Sequence, residues 1–313
     1  MAHLVPALAR VLVKLMPLTR LHGRLVDHTP LSRLRFAEMT LTRRTVEGAD
    51  MTFFANDHIG RHLYLTGQFD PTCVEVLLNF ARPDDRILDI GANVGYVSCA
   101  LLKRLPACRL AAIEPVPEVH ELLTRNVAGA GGSRAVALRA AVSNEVGPGA
   151  MVVPAGNRGA SHLVSAARPP GAVPVERIAG DQVMARSGLD RVDLIKIDVE
   201  GHETQVLQGL HGLLERFRPR AIVFEHHDDL SDPRDPLRRF FEALDYEVLR
   251  IGKRLLGWTL LRPGQRSWAV YPSADYLAVP RATQPAPVAP IGAHRTAVPL
   301  PAPVPPRPTP QGP

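Results

Sequence analysis

At residues 89–95 the chain reads Asp-Ile-Gly-Ala-Asn-Val-Gly, where a short apolar run at 87–90 ends and an amphipathic segment at 94–105 begins. Glycines at such a strand-to-helix junction let the backbone turn tightly and approach a ligand, and the helix supplies free N–H groups. The stretch lacks the GxGxxG pattern of dinucleotide sites and the Gly-Lys-Ser/Thr ending of a P-loop. Asp89 would repel a pyrophosphate, but its charge suits a ligand with an ammonium and a sulfonium, which is the character of S-adenosylmethionine.

Apolar runs that predict strands alternate with amphipathic segments that predict helices on both sides of this loop. Such alternation implies parallel pairing through right-handed crossovers, and therefore a Rossmann-like α/β fold with a mostly parallel sheet flanked by helices. The predicted strands are 87–90, 110–113, 135–142, 192–197, 221–224, 246–251 and 267–271, and the predicted helices are 71–80, 94–105, 117–127, 203–217 and 236–244.

The chain divides by composition into three parts. Residues 1–68 are predicted to form an N-terminal helix and a cap-like lobe with strand-like pieces at 51–54 and 63–65, and 69–275 form the main domain. Within that domain, 147–180 is rich in Gly, Pro, Ser and Ala, which predicts a functional loop or lid. Residues 276–313 are Pro-rich and are predicted to be a disordered tail, with a PxxP ligand as the alternative.

The charge and cysteine content limit the partners and the compartment. The 313 residues carry a net charge of +6, but the arginines are scattered, so no nucleic-acid partner is expected. Residues 1–20 have apolar residues at helical spacing, with Arg10 and Lys14 outside that apolar face. This pattern fits a docking helix or, alternatively, peripheral membrane contact. Three cysteines without a CxxC pair suggest a reducing, cytoplasmic setting. The oligomeric state stays open.

A second acidic residue, Glu114, follows the predicted strand at 110–113. An acidic residue about 20 positions beyond the glycines can accept both hydroxyls of an adenosine ribose. The alternative is a solvated turn carboxylate, but the position between an apolar strand and a helix favours a ligand contact.

Three acidic residues and a histidine follow the predicted strand at 192–197. Because ligands bind outside the carboxyl ends of parallel strands, Asp198 is expected beside the glycine loop. His202 is a candidate general base, oriented by Asp198 or Glu200, since the pKa of histidine is easily brought near neutrality. The alternatives are helix capping by the acidic residues and a buried ion pair made by Lys196.

The next predicted strand ends in Glu-His-His-Asp-Asp at 225–229. Glu225 or His226 is expected to line the substrate pocket. No metal site is predicted, because side chains of adjacent residues diverge and rarely bind one ion.

Together these motifs resemble the FkbM family of methyltransferases over residues 69–250. The resemblance is sharpest at 89–95, 113–118 and 193–203, and it extends to 141–147 and 157–161. It implies a class I methyltransferase fold with a seven-stranded sheet, S-adenosylmethionine as cofactor, and methylation of a hydroxyl on a natural product, sugar or glycan.

The resemblance also implies positions for the site residues. Asp89, Gly91, Asn93 and Gly95 would hold the methionine end, Glu114 the ribose, and Val142 and Ser143 would flank the adenine, while Asp198, Glu200 and His202 would face the transfer site.

Two other classes of protein are weighed against this prediction. A NAD-type Rossmann oxidoreductase or epimerase would use the same fold, but the chain lacks GxGxxG and a YxxxK pair in the core. A non-catalytic protein that keeps the fold would not need the acidic and glycine positions. The motif of a nucleic-acid methyltransferase after the fourth strand is also missing, since 198–200 reads Asp-Val-Glu.

Overall fold

The computed structural model describes residues 26–33, 36–164, 169–254, 257–265, 267 and 273–281. The strands are β1 Thr40–Arg44, β2 Asp50–Phe54, β3 Arg86–Ile90, β4 Arg109–Ile113, β5 Ala135–Leu138, β6 Ala141–Val142, β7 Gly147–Val152, β8 His162–Val164, β9 Val173–Ile178, β10 Leu194–Ile197, β11 Ala221–Glu225, β12 Tyr246–Arg254, β13 Gly257–Leu261 and β14 Asp275–Pro280. The helices are α1 His58–Thr66, α2 Pro71–Phe80, α3 Tyr96–Arg104, α4 Pro117–Gly131, α5 Gly180–Ser187, α6 Glu203–Gly209, α7 His211–Phe217 and α8 Pro236–Ala243.

An eight-stranded sheet in the order β13-β12-β14-β11-β10-β3-β4-β5 forms the centre of the molecule. The five strands from β11 to β5 pair in parallel, and β14, β12 and β13 add antiparallel. The predicted Rossmann-like α/β fold is confirmed, but the sheet has eight strands rather than seven, and β13 and β14 were not among the predicted strands. The strand predicted at 135–142 is divided between β5 of this sheet and β6 of a second sheet. The chain runs outward from β3 to β4 and β5 and then returns to place β10 on the other side of β3. This reversal opens a crevice at the carboxyl ends of β3 and β10.

The central strands are apolar along their whole length because both faces of the sheet are covered. Ile87 of β3 and Leu194 of β10 pack on one side with residues of α2, α3 and α4. Leu88 and Ile195, one position further on, pack on the other side with residues of α5, α6, α7 and α8. The core therefore consists of two hydrophobic layers separated by the sheet.

The N-terminal lobe is fastened to this core by Asn126 of α4. Strands β1 and β2 form an antiparallel hairpin. The Asn126 side chain accepts the Thr52 N–H at 2.8 Å and donates to the carbonyls of Thr52 and Val94 at 2.8 and 2.7 Å. One buried amide thus joins the lobe to the end of the glycine loop.

The strand expected at 63–65 was wrong, because these residues lie in α1. The Asp57 side chain caps the start of the helix by accepting the Ile59 N–H, and Gly67 ends it at φ 77°. Leu63, Tyr64 and Leu65 are all buried, so this helix packs on several sides and its apolar run imitates a strand.

The segment at 147–180 was expected to be an irregular loop, and this too was wrong. Strands β7, β8 and β9 join β6 in a four-stranded sheet of order β6-β9-β7-β8. Strands β7 and β9 pair in register from Gly147 opposite Arg177 to Met151 opposite Val173. Most side chains of β7, β8 and β9 are exposed or only partly buried, so these strands show little apolar periodicity. A lid function for the segment remains a prediction.

The main sheet continues past the predicted domain boundary at residue 275, so the disordered tail expected from residue 276 was wrong for 276–280, which are buried in β14. Strand β14 inserts between β11 and β12 and extends to Pro280. The predicted helix at 1–20, the Pro-rich stretch at 282–313 and most of the strand predicted at 267–271 lie outside the described residues. In the part of the chain that the structure describes, no helix has the length and apolar character needed to span a membrane.

Candidate active site

A cavity of about 270 Å³ opens at the carboxyl ends of β3, β4, β10 and β11. Gly91 and Asn93 line it after β3, Glu114 after β4, Asp198 after β10, and Glu225 at the end of β11. Open α/β sheets bind their ligands at this edge. The cavity therefore gathers side chains from four crossovers that are distant in sequence.

The glycine loop between β3 and α3 lies tightly against β10. Gly91 has φ 72°, and a Cβ at this position would lie 1.7 Å from the Asp198 carbonyl oxygen, so the close approach requires glycine. The Gly91 N–H donates to the Ile113 carbonyl at 3.0 Å. Asn93 has φ 50°, and its side-chain oxygen accepts the Val94 N–H at 2.8 Å. These contacts fix the shape of the loop.

Asp89 and Gly95 face the protein interior beneath this loop. Asp89 is fully buried and accepts a hydrogen bond from the Ser98 hydroxyl at 2.6 Å. A Cβ on Gly95 would lie 2.7 Å from the Leu123 side chain, so this glycine lets α3 and α4 pack closely. Both residues shape the loop, and their direct contact with the methionine end remains a prediction.

Lys196 connects the glycine loop to the carboxylates around it. Its ammonium donates to the Gly91 carbonyl at 2.7 Å and lies 3.3 Å from Asp89 and 3.4 Å from Asp198. Burial works to lower the pKa of Lys196, but Asp89 and Asp198 outweigh it and raise the pKa above its usual value. Lys196 is therefore a buried cation that holds the loop, as one alternative in the sequence analysis anticipated.

Glu114 is buried at the cavity wall with both carboxylate oxygens engaged by the backbone. One oxygen accepts the Asn93 N–H at 3.1 Å and the other accepts the Val116 N–H at 2.9 Å. Burial raises the pKa of Glu114 to about 7, although these two N–H groups oppose the rise. Each carboxylate oxygen can accept a further hydrogen bond, so ligand hydroxyls would offset the cost of burying the charge.

Three acidic side chains meet where β10 and β11 end. Asp198, Glu200 and Glu225 all line the cavity. Burial, followed by the charge of Asp198, raises the pKa of Glu225 to about 8, and the two carboxyl groups share a hydrogen bond. Burial and Asp198 also raise the pKa of Glu200, which adopts φ 53°. Such a cluster attracts a cation, because a nearby positive charge lets the carboxyls ionise.

His202 also lines the cavity and contacts one of the predicted adenine-side residues. Its Nε2 lies 3.0 Å from the Ser143 hydroxyl oxygen. Burial, with a contribution from Arg177, lowers the pKa of His202, which favours the neutral imidazole. Val142 lines the cavity, whereas Ser143 is buried behind it. The role of His202 as general base remains a prediction.

His58 and Arg158 are among the cavity residues that the sequence analysis missed. His58 begins α1, and Arg158 follows β7 in the inserted sheet. The Arg158 backbone N–H donates to Asp57 at 2.7 Å, and its guanidinium lies 4.1 Å from the centre of the Phe54 ring. No local pattern marks these two residues, because their neighbourhood forms only when the lobe and the inserted sheet close over the crevice.

At the end of β11, Glu225 or His226 was expected from the sequence as the residue that lines the pocket. Glu225 lines the cavity, whereas His226 is not among its lining residues. Within the described ranges, one group of side chains brings its ligand atoms close enough together to hold a metal ion. It consists of Asp27, His58 and His62. That cluster belongs to the N-terminal lobe and was not expected from the sequence.

The chain is similar in sequence to proteins that are named methyltransferases. The hexuronic acid methyltransferase AglP of Haloferax volcanii is 28% identical over 206 residues, which cover 66% of this chain and 81% of AglP. The methyltransferase sdnD of Sordaria araneosa is 27% identical and covers 55% of this chain and 77% of its own. A crystal structure of methyltransferase FkbM from Methylobacillus flagellatus KT aligns with a TM-score of 0.42 and 16% identity, over 71% of this chain and 53% of that one.

The model of the methyltransferase FkbM domain matches residues 89–248. Because this match covers slightly more than half of the chain and contains the loops after β3, β4, β10 and β11 that bound the cavity, the chain belongs to the FkbM family of S-adenosylmethionine-dependent methyltransferases.

Proposed function

We propose that the chain transfers the methyl group of S-adenosylmethionine to a hydroxyl oxygen of a small molecule, sugar or glycan. The observation that carries this proposal is that four carboxyl groups converge on one cavity, those of Glu114, Asp198, Glu200 and Glu225. S-Adenosylmethionine presents a sulfonium, an ammonium and two ribose hydroxyls. Each of these groups is either a cation or a hydrogen-bond donor, so each is complementary to a carboxylate.

The residues of the cavity fit this cofactor. Glu114 is placed to accept the ribose hydroxyls, because its buried carboxylate retains acceptor capacity beyond its two backbone partners. Gly91 and Asn93 would hold the methionine end, and Val142 offers an apolar surface to the adenine. Asp198 lies between the cavity and Lys196, so it would bind the cofactor cation while its own charge stays paired.

When bound, the cofactor supplies a methyl group on a sulfonium, which is already a good leaving centre. The protein then has to position an acceptor oxygen and accept its proton, and positioning alone contributes up to about 7–11 kcal/mol in favourable cases. His202 is the base we assign, because it lines the cavity and its burial lowers its pKa, which favours the neutral imidazole. Glu225, with a pKa of about 8, is the competing base near the operating pH.

A sugar or sugar acid is the acceptor class that we place first. The support is that one relative is named a hexuronic acid methyltransferase. The cavity wall also contains polar side chains from the connection between β7 and β8, including Asn157, Arg158 and Ser161, which can hydrogen-bond several hydroxyls.

The test is to incubate the full chain with S-adenosylmethionine and a panel of sugars and uronic acids, and to locate the new methyl group by mass spectrometry and NMR. His202→Ala should lower turnover by about 10²–10⁴-fold while the affinity for S-adenosylhomocysteine is retained. The exposed His211→Ala is the matched control. Unchanged turnover in His202→Ala would transfer the base role to Glu225, and methylation at nitrogen or carbon would contradict the proposal.

A further inference from the structure

Three side chains of metal-ligand type converge beside the cavity, apart from its acidic cluster. They are Asp27, from the segment at 26–33, and His58 and His62, both from α1. The ligand atoms of the three all lie within 4.8 Å of one another. His62 Nε2 lies 2.8 Å from Asp27 Oδ1, and His58 Nε2 lies 3.9 Å from the same oxygen.

The arrangement follows from the helix and its surroundings. Residues four apart lie on one face of a helix, so the two imidazoles are neighbours, with ring centres 4.8 Å apart. Phe69 packs edge-on against both rings, at 6.0 Å from His58 and 5.5 Å from His62. The helix itself is fixed by its Asp57 cap. Both imidazoles are therefore held in place by packing.

The hydrogen bond between His62 and Asp27 does not explain why His58 lies in the same cluster. His62 and Asp27 are satisfied by their 2.8 Å contact, which would serve to hold the segment at 26–33 against α1. His58 points its Nε2 at the same carboxylate oxygen from 3.9 Å, which is too far for a hydrogen bond.

We propose that Asp27, His58 and His62 bind one divalent first-row transition-metal ion, with Zn²⁺ as the preferred occupant. Two imidazoles and one carboxylate are a common ligand set for such ions, and three protein ligands leave a further position for water. The ion fastens the segment at 26–33 to α1. Since His58 also lines the cavity, the metal site forms part of the cavity wall.

The test uses the untagged full chain after removal of metal with a chelator. Titration with Co²⁺, followed by its visible d–d absorption, and with Zn²⁺ by calorimetry should each show one ion per chain, and Zn²⁺ should displace Co²⁺. His58→Ala and Asp27→Asn should weaken binding by more than the 10–100-fold typical of losing an outer-shell partner. Zn²⁺ should raise the Tm of the wild type and not that of the variants.

The controls separate metal binding from folding and from the proposed function. Asp27 and His58 are partly exposed, so their variants should unfold cooperatively, which circular dichroism checks. His211→Ala, which removes an exposed histidine next to Glu215, should bind metal as the wild type does. Calorimetric titration of the metal-free wild type with S-adenosylhomocysteine tests the cofactor site separately. Absence of stoichiometric binding, or wild-type affinity in both variants, would overturn the proposal.

Discussion

Lys196→Met should destabilise the protein more than any surface substitution of similar size. The ammonium of Lys196 is buried and compensates two carboxylates, at 3.3 Å from Asp89 and 3.4 Å from Asp198. Within the described residues, the Asp89 oxygen nearest to Lys196 makes no hydrogen bond, so the ion pair is its main compensation. Methionine fills the same volume but leaves the Asp89 charge buried and unpaired.

The magnitude follows from the cost of breaking a buried ion pair by removal of one partner. That cost is about 3–5 kcal/mol, because the remaining charge is left uncompensated. For a domain of this size each kcal/mol lowers the Tm by about 2–4 °C, so the expected fall in Tm is about 6–20 °C. The 2.7 Å hydrogen bond from Lys196 to the Gly91 carbonyl is lost as well, so the glycine loop should also loosen.

The assay is urea unfolding at pH 7, followed by circular dichroism and fluorescence. Lys103→Met, on the exposed face of α3, is the matched control and should change the free energy of unfolding by no more than about 0.5 kcal/mol. The double variant Asp89→Asn with Lys196→Met removes both charges and should recover much of the loss. Equal stability of Lys196→Met and Lys103→Met would refute this explanation of the ion pairs that Lys196 makes with Asp89 and Asp198.

Three further predictions concern the cavity. Glu114→Gln should weaken S-adenosylhomocysteine binding by about 10–100-fold in calorimetry, since it removes a charged acceptor, whereas the exposed Glu121→Gln should not. The ratio of S-adenosylmethionine to S-adenosylhomocysteine affinity should rise as pH increases through about 8, because Glu225 ionises there, and this rise should be smaller in Glu225→Gln. Gly91→Ala should cost at least about 1–2 kcal/mol from its φ of 72° alone, whereas Gly129→Ala, in open space on α4, should stabilise by about 0.5–1 kcal/mol.

Each of these predictions has an outcome that would contradict it. Equal affinity of the Glu114 and Glu121 variants for S-adenosylhomocysteine would remove Glu114 from the ribose site. A pH-independent affinity ratio in the wild type would mean that Glu225 does not face the sulfonium. A free energy of unfolding of Gly91→Ala equal to that of the wild type would show that the glycine loop need not approach β10 so closely.

The strands and the glycine loop could be predicted because their signals are local. A run such as Ile87–Ile90 is apolar because both faces of its strand are covered, and the acidic residues Glu114 and Asp198 follow such runs directly. Because ligands bind at the carboxyl ends of parallel strands, the sequence predicts that these two residues lie close together. Both residues do line one cavity.

The remaining features depend on contacts that no local pattern records. The apolar run at 63–65 resembles a strand because α1 is buried on several sides. The inserted sheet at 147–178 buries few of its side chains, so its strands lack an apolar pattern. His58 and Arg158 line the cavity only because the N-terminal lobe and the inserted sheet pack over the crevice. The burial of Asp89 under the loop depends on its register opposite Lys196 in the neighbouring strand.

The most direct test of the cofactor site is thermal unfolding of the full chain with S-adenosylhomocysteine, beside NAD and ATP. At about 100 times its dissociation constant a ligand adds about 2.7 kcal/mol of stability, which is a shift in Tm of several degrees. We expect this shift with S-adenosylhomocysteine alone, and we expect it to be strongly reduced in Glu114→Gln. A shift with NAD and none with S-adenosylhomocysteine would contradict the assignment of the cavity to S-adenosylmethionine.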